Sequence, residues 1–148
     1  MIEVMVNQTV RTKLHSSSIR KAVEFIARHE PRVRGAVEIQ LIGERYMQKL
    51  NHRFRGQNRV TAVLSFSWRE DTQWQGNHLG QLYLCPKYIQ RQAKRFGVTP
   101  TEEFLRTLVH GLLHLIGYDH QTAQEARRMF SVQERLVDRA GVRYRIHI

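Results

Sequence analysis

Alternating apolar and polar residues mark four stretches of the chain as strands with one buried face. The predicted strands cover residues 2–6, 36–42, 61–68 and 79–85. One face of the third strand, which the alternation places in the core, carries Ala62, Leu64, Phe66 and Trp68. Only the polar segment 69–78 joins the third strand to the fourth, so we expect the two to form an antiparallel pair.

Apolar residues three or four positions apart predict five helices in the remaining segments. The helices are expected over about residues 16–27, 44–52, 86–96, 99–116 and 122–140, and residues 53–59 are expected to form a basic loop. A capping box with proline in its first turn, Thr99-Pro100-Thr101-Glu102, opens the fourth helix, and Gly117 is expected to end it. The inner face of the last helix is expected to hold Ala126, Met129, Phe130, Gln133, Leu136 and Val137.

The order of these elements, β-α-β-α-β-β-α-α-α, predicts an α+β fold. In this fold a mixed four-stranded sheet is covered by about five helices. The chain has 148 residues without repeats, low-complexity tracts or flexible linkers, so we expect a single domain over residues 1–148. Hydrophobic residues make up 41% of the chain and charged residues 25%, which is not the composition of a disordered protein.

The chain is strongly basic, with 24 lysines and arginines against 13 acidic residues and a formal net charge of +11. This excess predicts a polyanionic partner, nucleic acid first and an anionic membrane surface second, although charge can also serve solubility alone. The N-terminus lacks the features of a signal peptide, and no stretch approaches the roughly 18 apolar residues that span a membrane. Cys85 is the single cysteine, which excludes an internal disulfide. We therefore expect a soluble, cytoplasmic protein without a membrane partner.

Three histidines around the end of the fourth helix are the most informative feature of the sequence. His110 and His114 are four residues apart, so a helix presents both rings on one face. Gly117 can turn the chain sharply and bring His120 back as a third ligand. Three nitrogen ligands and an open fourth position are typical of catalytic zinc, whereas structural zinc usually has four protein ligands. The spacing therefore predicts one catalytic Zn²⁺ ion per chain.

The helix that carries these histidines is apolar over most of its circumference, which predicts a buried, central position. At about 100° per residue, its polar stripe consists of Glu103, Thr107, His110 and His114, and this stripe must line a cleft or the surface. The spacing resembles the zincin peptidase motif H-E-x-x-H-x-x-G-x-x-H, but Gly111 stands where those peptidases carry their general-base glutamate. The spacing of the metal ligands is kept but the general base is missing, which indicates a reaction other than peptide hydrolysis, or no catalysis at all.

Residues 110–120, H-G-L-L-H-L-I-G-Y-D-H, resemble the signature H-G-x-L-H-L-x-G-Y-D-H of the YbeY endoribonucleases, the bacterial ribosomal-RNA maturation factors. Residues 50–56 and 61–66 are similar to the family's L-N-x-x-[YF]-R-G and T-D-V-L-S-F, and residues 79–82 are similar to L-G-D-[IL]. The blocks follow the family's order and spacing, so the resemblance extends over roughly residues 36–140. Ala62 and Gln81 depart from the family, which usually has aspartate at both positions.

The resemblance implies an endoribonuclease specific for single-stranded RNA, with one zinc ion held by His110, His114 and His120. It implies a role in ribosomal RNA maturation, including processing of the 3′ end of 16S rRNA, and in ribosome quality control. The ribosome or small-subunit proteins would then be partners. The arginine that the family reading treats as functional falls on Arg55.

Our hypothesis for the reaction is metal-assisted cleavage of a phosphodiester, with Arg55 pairing with the scissile phosphate. Either a zinc-activated water or the RNA 2′-hydroxyl can be the nucleophile. Asp119 either orients a ligand histidine or caps the next helix. The predicted RNA contacts are Arg53, Arg59, Lys87 and Arg91, with Trp74 as a stacking candidate; the alternative for each basic residue is a solvated face.

Two other functions compete with this reading. The first is a non-catalytic RNA-binding ribosome assembly factor in which the metal holds the fold. The second is a metallopeptidase, which the glycine at position 111 disfavours.

Overall fold

The computed structural model describes residues 2–68 and 77–143, and these ranges contain four strands and five helices. The strands are β1 (Ile2–Gln8), β2 (Gly35–Leu41), β3 (Val63–Ser67) and β4 (His78–Leu84). The helices are α1 (Ser16–His29), α2 (Glu44–Arg55), α3 (Pro86–Phe96), α4 (Pro100–Leu115) and α5 (Ala123–Arg143). The predicted order and the α+β class are confirmed. Trp74 and most of the predicted loop 69–78 lie outside the described residues.

The sheet is mixed, as predicted, with the strand order β1-β2-β4-β3. β1 pairs with β2 and β2 with β4 in parallel, for example through Val4 opposite Val37 and Ile39 opposite Leu82. β3 and β4 form the expected antiparallel pair, with Ser65 opposite Leu82. β3 therefore lies at one edge of the sheet, and β4 separates it from the parallel strands.

Helix α4 lies at the centre of the protein, in contact with α3, α5, β3 and β4. Phe104, Leu108 and Leu112 are completely buried, as the apolar circumference of this helix predicted. Burial of each such side chain contributes about 1.5–3 kcal/mol, so the helix is held firmly in place. The polar stripe of α4 is consequently fixed relative to β3.

Both faces of β3 are covered, whereas the sequence predicted one buried face. Leu64 packs with Met47 of α2, and the neighbouring Val63 points toward Gly111 of α4. Successive residues of a strand point to opposite faces, so α2 and α4 lie on opposite sides of β3. Trp68, expected in the core, is half-buried just beyond the end of this strand.

Two predictions about the helices are wrong. Phe130 is 62% exposed, because α5 buries a narrower stripe, centred on Met129, Gln133 and Leu136, than the one expected. Helix α2 continues through Arg55, which the sequence placed in a loop, and ends at Gly56 in the left-handed conformation with φ 70°. Basic side chains are favoured in a last helical turn, where they face the negative end of the helix dipole.

Within the described ranges, no helix combines the length and the apolar character that crossing a membrane requires.

Candidate metal centre

A tight turn after α4 brings the third histidine back to the other two. Gly117 adopts φ 105°, a conformation that favours glycine. Its N–H donates to the carbonyl of His114 at 3.1 Å, and the N–H of Tyr118 donates to the carbonyl of Leu113 at 3.0 Å. These two bonds form a Schellman motif, which satisfies the last carbonyls of the helix while reversing the chain. The predicted role of Gly117 as the stop of this helix is confirmed.

The three histidines converge on one point. One ring nitrogen from each of His110, His114 and His120 lies within 4.8 Å of the others. The Nε2 atoms of His110 and His114 are 3.1 Å apart. Two nitrogens bound to a tetrahedral zinc ion at about 2.0–2.1 Å would lie about 3.3 Å apart. The two helical histidines therefore have the spacing of two ligands of one Zn²⁺ ion, and His120 lies beside them as the candidate third ligand.

Burial keeps the two helical histidines neutral, which is the form that binds a metal. Burial lowers the pKa of His110. Burial, together with the neighbouring imidazoles of His110 and His120, lowers the pKa of His114 to about 4. Protons therefore compete weakly for the nitrogens that face one another.

Gln133 of α5 fixes the orientation of His110. Its side-chain oxygen lies 2.8 Å from Nδ1 of His110, and its amide nitrogen donates to a carboxylate oxygen of Glu134 at 3.2 Å. A carboxylate can only accept here, so the amide oxygen of Gln133 must face the histidine, and Nδ1 must carry the proton. The lone pair of His110 is therefore on Nε2, which faces His114.

Arg106 of α4 extends this chain of hydrogen bonds. Its Nε and Nη2 atoms donate to the two carboxylate oxygens of Glu134, each at 2.9 Å. This pairing lowers the pKa of Glu134, which therefore stays ionised and holds the amide of Gln133 in place. The sequence placed Gln133 on the inner face of α5 but did not connect it to the histidines. A polar side chain on an otherwise apolar stripe was the available signal.

The histidines open into a cavity of about 460 Å³ between α4 and β3. Its other lining residues are Arg55, Thr61, Val63, Leu64, Ser65, Ser67 and Asp119. The Ser65 hydroxyl donates to the carbonyl of Gly111 at 3.4 Å, and the Ser67 hydroxyl donates to that of Leu115 at 3.2 Å. The sequence did not identify these serines, because only the packing of α4 on β3 brings them to the site.

Arg55 lies in the wall of the same cavity as the three histidines. Its Nη2 donates to the carbonyl of Ser65 at 2.7 Å, and its guanidinium carbon lies 4.9 Å from the ring centre of Phe66. These two contacts hold a positive charge beside the histidines.

The other predicted RNA contacts are exposed and lie outside the lining of this cavity. They are Arg53, Arg59, Lys87 and Arg91. The guanidinium of Arg53 lies 5.3 Å from the ring centre of Phe54, and Arg91 forms an ion pair with Glu44.

The structure also shows the local roles of Asp119 and Gly111. Oδ1 of Asp119 accepts a hydrogen bond from the backbone N–H of His120 at 2.7 Å, which stabilises the turn that carries this histidine. A Cβ atom at Gly111 would lie 3.0 Å from Leu82 and 3.2 Å from Val63. The peptidase glutamate is therefore replaced by a residue that lets α4 approach the sheet closely.

Comparison with known proteins gives consistent matches over most of the chain. The family model described as Endoribonuclease YbeY matches residues 2–141. The Endoribonuclease YbeY of Bdellovibrio bacteriovorus is 40% identical over 128 residues, covering 86% of this chain and 77% of the relative. That of Persephonella marina is 30% identical over 141 residues, covering 93% and 92%. A solution structure from Thermotoga maritima superposes with a TM-score of 0.64 at 30% identity, covering 95% of this chain and 89% of that one.

Proposed function

The chain belongs to the YbeY endoribonuclease family, and from this premise we propose that it is a zinc-dependent endoribonuclease that cleaves single-stranded RNA. The observation that carries the proposal is the shared cavity of His110, His114, His120 and Arg55. A metal ion held by the three neutral imidazoles would supply the electrophile, and the adjacent guanidinium supplies a binding group for phosphate. The relatives' name supplies the class of substrate.

The three histidines and Arg55 each have a definite part in the proposed reaction. His110, His114 and His120 would hold the zinc ion, and Gln133 keeps His110 in the tautomer that can bind it. A bound Zn²⁺ ion would supply Lewis acidity toward the phosphate and would make a water nucleophile available near neutral pH. Arg55 donates to the scissile phosphate and balances the charge that develops on it during cleavage.

The exposed arginines beside the cavity extend the proposed RNA surface. Arg53 belongs to the same last turn of α2 as Arg55, and Arg59 follows in the next loop. Lys87 and Arg91 of α3 are proposed as more distant contacts. Neutralisation of phosphates by such residues gives affinity that falls with salt and does not depend on sequence.

We further propose that the substrate is ribosomal RNA in the cytoplasm, including the 3′ end of 16S rRNA, and that the enzyme acts in ribosome quality control. The family membership and the net charge of +11 support a ribosomal substrate. Ribosomal proteins of the small subunit are the proposed protein partners.

Cleavage of a labelled single-stranded RNA, compared with its duplex form, tests the function. The purified protein, chelator-treated protein and His114→Ala are assayed in parallel, with His15→Ala as the control because His15 is exposed and outside the cavity. We expect cutting of the single strand alone, lost after chelation and in His114→Ala and retained in His15→Ala. The chemical ends of the products identify the nucleophile.

Tight RNA binding without cleavage would favour the assembly factor with a structural metal. Cleavage of peptides but not of RNA would favour the metallopeptidase. Equal cutting by all four preparations would show a contaminating nuclease.

A further inference from the structure

A second cavity of about 280 Å³ is lined by His110 but not by Arg55. It shares Thr61, Val63 and His110 with the metal cavity, so the two spaces adjoin. Its remaining polar and aromatic lining comes from α3, α4 and α5, and consists of Gln92, Phe96, Glu103, Arg106, Thr107 and Gln133. The proposed reaction uses none of these residues to contact RNA.

Glu103 is the unusual residue in this cavity. Its side chain is only 6% exposed, and Oε2 is buried without a hydrogen-bond partner among the described residues. Its other oxygen, Oε1, lies 3.9 Å from Nη1 of Arg106, beyond hydrogen-bond distance. A buried acceptor without a donor is destabilising, so it calls for a ligand that supplies one.

Phe96 offers an aromatic face to the cavity. Phe96 is 59% exposed, and Gln92 precedes it by one helical turn on the same face of α3. The Oγ1 of Thr107 donates to the backbone carbonyl of Glu103 at 2.8 Å, which leaves lone pairs of this hydroxyl for a ligand. The lining thus combines an aromatic face with hydrogen-bonding groups.

The charges of the lining select among possible ligands. The carboxylate of Glu103 repels a phosphate, and the adjacent guanidinium of Arg106 repels a metal ion. A neutral, planar ligand with N–H donors on its edge satisfies both the carboxylate and the aromatic ring. Nucleobases have this character.

We propose that this cavity is a nucleobase subsite, which holds the base of a nucleotide next to the scissile phosphate. Phe96 stacks on the base, and Glu103 accepts a hydrogen bond from its edge. The inference rests on the proposed function, because only an RNA substrate at the metal centre would place a base here. Adenine, cytosine and guanine each carry an exocyclic amino group that can donate to Glu103. The N–H of uracil lies between two carbonyl oxygens, which the carboxylate repels, so uracil is disfavoured.

Cleavage of a random single-stranded RNA pool, followed by sequencing of the product ends, tests this subsite. We expect depletion of uracil by about tenfold at one position flanking the cut, the equivalent of one hydrogen bond to a charged group. Glu103→Gln should remove the depletion at that position alone. Glu102→Gln is the matched control, since Glu102 also pairs with Arg106 but lies outside the cavity. This variant should keep the wild-type bias.

Phe96→Ala gives a second, independent test, because an exposed side chain can be removed without unfolding the protein. We expect kcat/KM to fall about tenfold on intact RNA, as for the loss of one stacked base. The difference from wild type should disappear on RNA that lacks the base at the flanking position.

The outcomes separate the subsite from the function on which it rests. Metal-dependent cutting with no base bias, or with a bias that persists in Glu103→Gln, would overturn the subsite and leave the endoribonuclease intact. A Phe96→Ala defect that is unchanged on the abasic RNA would also overturn it. Wild-type protein that fails to cut RNA at all would overturn the proposed function, and the subsite with it.

Discussion

Replacement of Gln133 by methionine should weaken zinc binding without unfolding the protein. Methionine has nearly the same volume and helix propensity, but it cannot accept the proton of His110 Nδ1, which lies 2.8 Å from the glutamine oxygen. Because Gln133 is only 7% exposed, water replaces the lost acceptor poorly. A buried donor left without an acceptor costs about 1–3 kcal/mol, and each 1.4 kcal/mol is a factor of ten. We therefore expect zinc affinity to fall about ten- to a hundredfold, the range typical of groups that orient metal ligands.

Competition with a chromogenic chelator measures this affinity directly and needs no activity. Gln124→Met is the matched control, because Gln124 lies on the same helix and is exposed. It should bind zinc as the wild type does. Wild-type affinity in a folded Gln133→Met variant would refute the argument that this hydrogen bond orients His110.

Three further changes have definite expected outcomes. Gly80→Ala should destabilise the fold by about 2–3 kcal/mol in urea denaturation, because its Cβ would lie 2.3 Å from the carbonyl oxygen of Phe66; Gly141→Ala, with open space around it, should be neutral or stabilising. In the metal-free protein the pKa of His114 is lowered from 6.5 to about 4, so the unfolded chain binds more protons in this interval. The free energy of unfolding should therefore rise as the pH is raised from about 4 to 6.5, with a smaller slope in His114→Ala. Arg55→Lys keeps the charge but not the planar fork, and should lower kcat/KM at least tenfold in the RNA cleavage assay, whereas Arg53→Lys should change it little.

The sequence predicted the parts of the site that depend on local geometry. His110, His114 and His120 are brought together by one helix and one glycine turn, and both follow from spacing along the chain. The capping box was equally local, and Thr99 Oγ1 does accept the N–H of Glu102 at 3.1 Å. Such features can be predicted from the sequence because no distant residue is needed to form them.

The parts that depend on packing between elements could not be predicted in the same way. The rotation of α5 about its axis determines that Gln133 reaches His110 while Phe130 stays exposed. Hydrophobic periodicity alone predicted a wider buried face for this helix than the one observed. The sequence did not connect the serines of β3 with the histidines, because only the packing of α4 on β3 brings them together. Arg55 was identified through its motif, and its contact with the carbonyl of Ser65 required the structure.

The turn at Gly117 allows all three candidate metal ligands to come from residues 110–120. This short separation along the chain affects the linkage between metal binding and folding. Ligands so close along the chain remain near one another after unfolding, since closing a loop this short costs little entropy. A metal that also binds the unfolded chain stabilises the native state by less than its affinity for the native state would suggest. We therefore expect zinc to raise the melting temperature only modestly for its affinity, and the fold to rely on its apolar core rather than on the ion.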